Sequence, residues 1–279
     1  SASDTDAIAI ASNGVVTFSQ AVSGTSADFD GGVTIDNITI DGTEIDLSSG
    51  TLTIDATSIT LDASDSISTP TAGTSNVKLG VNAGNSIQSG GNYNVVVGDE
   101  AGTAITTGDA NVFMGYGSGD AVATGTNNVA IGYLSLSTED GHGHNTAVGF
   151  ETLKVQDAGQ DAYNVAIGSG AGKTISTGAA NTLIGGQAGD ALSTGGSNVA
   201  IGYQALSTED GNGLNVAVGT FALKTLNAGA DAHNTAVGYK SGEDVTTGTA
   251  NTLIGSLSGM SLTSGGSNIG LGYNSLEVD

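Results

Sequence analysis

Asn198-Val199-Ala200-Ile201-Gly202 is one of twelve copies of a five-residue box, Asn, then Val, Thr or Ile, then a variable residue, then an apolar residue, then Gly. The boxes open at Asn76, Asn94, Asn111, Asn128, Asn145, Asn164, Asn181, Asn198, Asn215, Asn234, Asn251 and Asn268, in steps of 17 to 19 residues. A repeat this short and regular predicts a stack of coils rather than a globular core. The alternation inside the box predicts a short strand. Its second and fourth residues are taken to face the core, and the residue between them, Ala in six of the twelve copies, to face outward against another chain. The closing Gly predicts a bend where φ is positive or a side chain would crowd.

Seven positions after each Asn stands Ala, Ser or Thr, from Ala83 to Ser275. The next residue follows a fixed order: Gly102, Gly119, Leu136, Leu153, then Gly172, Gly189, Leu206, Leu223, then Gly242, Gly259, Leu276. The coils therefore come in fours, with a super-period of 70 residues. Most Gly-type coils carry an apolar residue three positions later, as at Ile105, Ile175 and Val245, where the 17-residue Leu-type coils carry Glu139 and Glu209. One apolar plug per coil, drawn from either of two places, accounts for the alternation.

The rest of the composition agrees with thin coils. The 279 residues include 46 Gly, one Pro, no Cys, no Trp and five Lys or Arg, with a formal net charge of −23. That charge excludes a basic patch for nucleic acid, and no apolar run is long enough for a membrane span. Residues 1–67 differ from the repeats. Runs such as Val33-Thr34-Ile35-Asp36 and Leu52-Thr53-Ile54-Asp55 alternate apolar and polar residues between Gly-containing turns, which predicts a fibrous β shaft built with partner chains. Residues 68–75, with Pro70, read as a joint, and residues 76–279 as the repeat domain, an all-β parallel roll or solenoid. Ordering some 17 residues per coil to bury so few apolar side chains argues for backbone ladders and subunit contacts beyond a lone chain.

Asn198-Val-Ala-Ile-Gly-Tyr-Gln-Ala-Leu206 and Asn234-Thr-Ala-Val-Gly-Tyr-Lys-Ser-Gly242 resemble the NTAIGYQAL-type repeats of phage tail fibres. They are also similar to the head repeats of YadA-like trimeric autotransporter adhesins. The resemblance covers residues 76–279 and implies a left-handed parallel β-roll in which three chains associate side by side. The 17-residue step favours the fibre group over the adhesin heads. What it implies is a virion tail-fibre or extracellular, cell-surface protein, a homotrimer that attaches to a host cell-surface glycan or protein. It transfers no receptor site.

Candidate sites stand beside plainer readings. The turn Gly141-His142-Gly143-His144 presents His142 and His144 as an H-x-H pair that a trimer could gather around a transition metal; the equivalent turn Gly211-Asn212-Gly213-Leu214 has no histidine, and a solvated turn is the simpler reading. Glu139-Asp140 and Glu209-Asp210, in identical STEDG turns 70 residues apart, could hold Ca²⁺ with nearby carbonyls, or be polar reversals with Gly in a left-handed conformation. Aromatic residues just after the box, among them Tyr133 and Tyr203, could stack on sugars, although a ladder along one edge is the commoner arrangement. Tyr163 and His233 end the two longer coils, which bulge by two residues and offer lateral contacts. No nucleophile elbow, P-loop or H-E-x-x-H motif is present, so no enzymatic activity is expected. An ice-binding or purely structural extracellular solenoid remains as a rival, suggested by turns such as Thr106-Thr107-Gly108 and Ser176-Thr177-Gly178.

Overall fold

The computed structural model describes residues 73–277 except Asp210. The expected shaft and most of the joint lie outside the described residues. Within them the chain is an all-β solenoid: twelve strands of three residues each, β1 (Val77–Leu79) to β12 (Ile269–Leu271), one in every box. They form a single parallel sheet in strict sequence order. The register is unshifted throughout, so that Val199, Ala200 and Ile201 in β8 (Val199–Ile201) face Val216, Ala217 and Val218 in β9 (Val216–Val218). Equivalent columns of the sequence are thus columns in space. With strands about 4.8 Å apart, twelve coils span roughly 60 Å.

The box Asn is the rivet of this stack. Asn181 is fully buried; its Oδ1 accepts from the Asn198 amide at 2.9 Å, and its Nδ2 donates to the Gly195 carbonyl at 2.9 Å, in the turn that closes the same coil. The same pair of bonds recurs at Asn94, Asn111, Asn128, Asn164, Asn198, Asn234 and Asn251. Asn fits because one short side chain carries an acceptor and a donor on a planar amide. The box Gly makes a second ladder: Gly202 has φ 134°, and the positive φ recurs in every copy from Gly80 to Gly272. The residue just before each Asn is left-handed too, from Ser75 (φ 57°) to Ser267 (φ 59°), although none of the twelve is Gly.

Which strand face is the core is the reverse of the expectation. From the second strand onward the middle residue is the buried one, with Val96, Phe113, Ala130, Leu183, Ala200 and Leu253 at zero exposure, while Lys78 in β1 is half-buried. The two neighbours of the middle residue point outward, half-buried or exposed, in every strand. Alternation sorts side chains onto two faces without saying which face is inside. Here the inside is only one side chain deep, which is why Ala prevails there, while the β-branched residues line the outer surface of the parallel sheet.

The super-period has a steric cause in the same column. Large middle residues appear where two Gly-type coils adjoin. A Cβ on Gly172 would lie 2.8 Å from the Leu183 side chain, and one on Gly189 also 2.8 Å from it. Gly102 and Gly119 leave the same room for Phe113, and Gly242 and Gly259 for Leu253. In the Leu-type coils the plug is Leu136, Leu153, Leu206 or Leu223, each buried and each in the left-handed conformation, with φ between 47° and 53°. Opposite them the middle residue shrinks to Ala130, Ala147, Ala200 and Ala217. The plug rule read from the sequence therefore holds among these coils, with an added term: strand residue and plug trade volume to keep each layer filled. The 19-residue coils go beyond the rule, because they bury Gln156 and Leu226 as well as their leucines.

Candidate functional site

Three surface features have the makings of a site: the acidic turns, the aromatic edge and the outward strand face. In the first turn, Glu139 is fully buried at the place where a Gly-type coil holds its apolar plug. Its Oε1 accepts from the His142 amide at 3.0 Å and lies 3.3 Å from His142 Nδ1, while Oε2 has no hydrogen-bond partner. Burial pushes the carboxyl above its ordinary range; hydrogen bonds from His142 oppose this and nearby Asp157 adds to it. Asp140 stands exposed beside it, and Asp157 reaches the same place from the next coil.

His144 goes elsewhere. Its ring stacks on Tyr163 with centroids 4.9 Å apart and lies 3.7 Å from the Asp161 carboxylate. The two histidines of the H-x-H therefore point to different neighbours. His142 turns back on Glu139 of its own turn, whereas His144, left-handed at φ 64°, meets Tyr163 and Asp161 on the adjoining coil. Tyr163 proves to be the stacking partner of this histidine, while His233, one super-period on, occupies the same left-handed position before its box.

In the second turn Glu209 is buried alike, with Oε1 held by the Asn212 amide at 3.2 Å and by Asn212 Nδ2 at 2.7 Å. Burial again raises its pKa, and hydrogen bonds from Asn212 and from the Ala228 and Gly211 backbone offset part of it. Asp210 lies outside the described residues. A carboxyl whose folded pKa is raised binds its proton more tightly in the folded than in the unfolded state, so its contribution to stability is lost as pH rises through the folded value. Glu209→Gln, which stays neutral, is therefore expected to match the wild type in thermal stability near pH 4 and to exceed it increasingly toward pH 7. Parallel pH series of melting midpoints test this; a constant offset between the two proteins would contradict it.

The aromatic edge is a ladder, as expected, but an interrupted one. Tyr116, Tyr133 and Phe150 stack at 5.4 Å intervals with nearly parallel rings. Ser169 and Gly186 then take the aromatic position for two coils before Tyr203, whose ring meets Phe221 edge-on at 5.6 Å. The gap is a hollow of about 270 Å³ between Phe150 and Tyr203, lined also by Glu151, Lys173, Gln187 and Asp190. Glu151 is paired at 2.6 Å with both Lys154 and Lys173, which pulls its pKa down through those hydrogen bonds. The sequence shows the missing aromatics; that their absence leaves a walled hollow depends on the exact stacking of coils.

The third feature is the outward strand face. Val95, Val112, Val129, Val199 and Val216 form one column, and Met114, Ile131, Ile167, Ile184, Ile201 and Ile254 another, with no charge in either. Met114, Ile167, Ile184 and Ile254 are each more than a third exposed. The class these features define is a parallel β-solenoid with a long uncovered apolar face and an aromatic edge. No protein-family model, curated protein or solved structure gives a match to the chain. Among the described residues no helix is long and apolar enough to cross a membrane.

Proposed function

We propose that this chain is a homotrimeric fibre protein of the phage tail-fibre type, which displays its surface for attachment to a host cell. The observation that carries the reading is the continuous uncharged face, mostly Val, Ile and Thr with Leu79, Met114 and Leu271, running along the sheet through all twelve strands. An exposed apolar surface of that extent marks an interface, and packing three such faces about a common axis covers all of them with one closed symmetry. It replaces the face first assigned to the partner, since the small middle column is internal. Attachment would draw on many weak contacts repeated by three-fold symmetry rather than one deep pocket. The hollow between Phe150 and Tyr203, with aromatic walls and flanking carboxylate, ammonium and amide groups, has the chemistry of a saccharide site.

Light scattering on the intact chain is expected to give three times the chain mass of 27.0 kDa. Replacing outward Ile184 and Ile201 together with lysine is expected to lower the mass to that of one chain. A stable wild-type monomer would overturn the proposal. A bacterial adhesin head would share the fold, and a membrane-anchor domain in the full gene would decide for it. Against an ice-binding surface stands the use of the turn hydroxyls: Thr106 donates to the Ala123 carbonyl at 3.0 Å, Ser176 to Ser193 at 3.0 Å and Thr246 to Thr263 at 3.2 Å. These three hydroxyls, spent on the ladder, are not offered to ice.

A further inference from the structure

We propose that Glu139, Asp140, His142 and Asp157 form a binding site for a divalent transition-metal cation, of the Zn²⁺ or Mn²⁺ kind, once per chain. Each offers one ligand atom, and the four atoms lie within 4.8 Å of one another. Glu139, the buried member, keeps Oε2 without a hydrogen-bond partner. The 3.3 Å between Glu139 Oε1 and His142 Nδ1 suits a hydrogen bond, and it also suits a shared ion. Two ligands each about 2.0 Å from a tetrahedral zinc stand about 3.3 Å apart. Three carboxylates with one imidazole favour a transition metal over Ca²⁺, which takes oxygen ligands alone.

The molecule supplies its own comparison. Seventy residues on, the same turn keeps Glu209, and the residue matching Asp157 is Asn227. Asp157 donates its amide to Ser176 at 2.8 Å, and Asn227 donates to Thr246 at 2.7 Å, so the two positions are structurally equivalent. Glu209 Oε2 is unpartnered as well, so the buried glutamate belongs to the coil design. What differs is the ring around it: His142 and Asp157 in one copy, Asn212 and Asn227 in the other. The fold evidently accepts two neutral amides there. The first copy instead crowds a third carboxylate against two others, an arrangement that like-charge repulsion disfavours unless a cation joins them.

The test is equilibrium dialysis of the full chain against Zn²⁺ at neutral pH, with bound metal measured per chain by elemental analysis. The wild type is expected to hold one ion. The double variant H142N/D157N, which copies the sequence of the second turn and so keeps a turn the fold already uses, is expected to bind at least tenfold more weakly. The reciprocal N212H/N227D is expected to hold two ions per chain. A wild type that binds no Zn²⁺, an H142N/D157N protein that binds as tightly as the wild type, or an N212H/N227D protein that still holds one ion would each overturn the site. Because metal is counted per chain, the outcome does not depend on the oligomeric state or on the attachment reading.

Discussion

Gly202→Ala is expected to destabilise the coils around it by roughly 4 kcal/mol or more, among the larger effects a single residue can have. Two penalties act together. Gly202 has φ 134°, a region an L side chain rarely adopts. A Cβ there would also lie 2.6 Å from both the carbonyl carbon and the oxygen of Gly219 and 2.9 Å from the Thr220 nitrogen. Those atoms are backbone of the next coil. They cannot retreat, because the Gly202 amide donates to Ile184 and the Gly219 amide to Ile201, each at 2.7 Å. Gly159→Ala is the control. That glycine is left-handed at φ 66° but has nothing within 4 Å of its Cβ position, so only the backbone term remains, about 1 kcal/mol. Denaturant unfolding of both variants measures the difference; equal losses would mean that the glycine ladder is not a close-contact line.

The second large effect is expected at the asparagine ladder. Asn181→Ala removes an acceptor from the Asn198 amide and a donor from the Gly195 carbonyl, both at 2.9 Å and both enclosed. Each buried group left unsatisfied costs about 1–3 kcal/mol, so for the two the loss is roughly 2–6 kcal/mol. Asn181→Asp separates the two bonds. A carboxylate keeps the acceptor for Asn198 but turns a lone pair toward the Gly195 carbonyl and toward Asn164 Oδ1 at 3.1 Å. The aspartate variant is therefore expected to be as unstable as alanine at pH 7 and to recover on acidification, when a protonated carboxyl can donate again. A flat pH profile of its melting midpoint would show that the donor half of the amide does not matter.

These two columns bear on how much could be read beforehand. The period of the boxes fixed the coil length, the strand position and the parallel solenoid, because backbone ladders repeat only if equivalent residues stack. The Gly and Leu alternation gave the core plugs correctly, since the volume of a layer one side chain deep is visible in the residue that fills it. The closing glycines mark bends, each with positive φ.

The core face is the opposite of the one the residue sizes suggest. Val199 and Ile201 are larger and more apolar than Ala200, and in a protein with a deep core that inequality would mark the inside. In a coil this narrow it marks the surface that is left to meet something else. The candidate site divides along the same line. Glu139, Asp140 and His142 were legible because they share one turn. Asp157 was not, since it arrives from the neighbouring coil, twelve positions after Asn145 as Asp140 is after Asn128, and only the stacking of coils brings the two together. His144 was set beside His142 by sequence adjacency and taken away by stacking on Tyr163.

The sequence alone therefore determined the repeat, the strand in each box, the polar turns and the super-period, all of which follow from local spacing and residue volume. Only the tertiary structure decided which face is inside, which side chains from different coils meet, and where the aromatic ladder opens. Those depend on how one coil sits on the next, and a periodic pattern leaves the sign of a face and the partner across a gap undetermined until the coils are stacked.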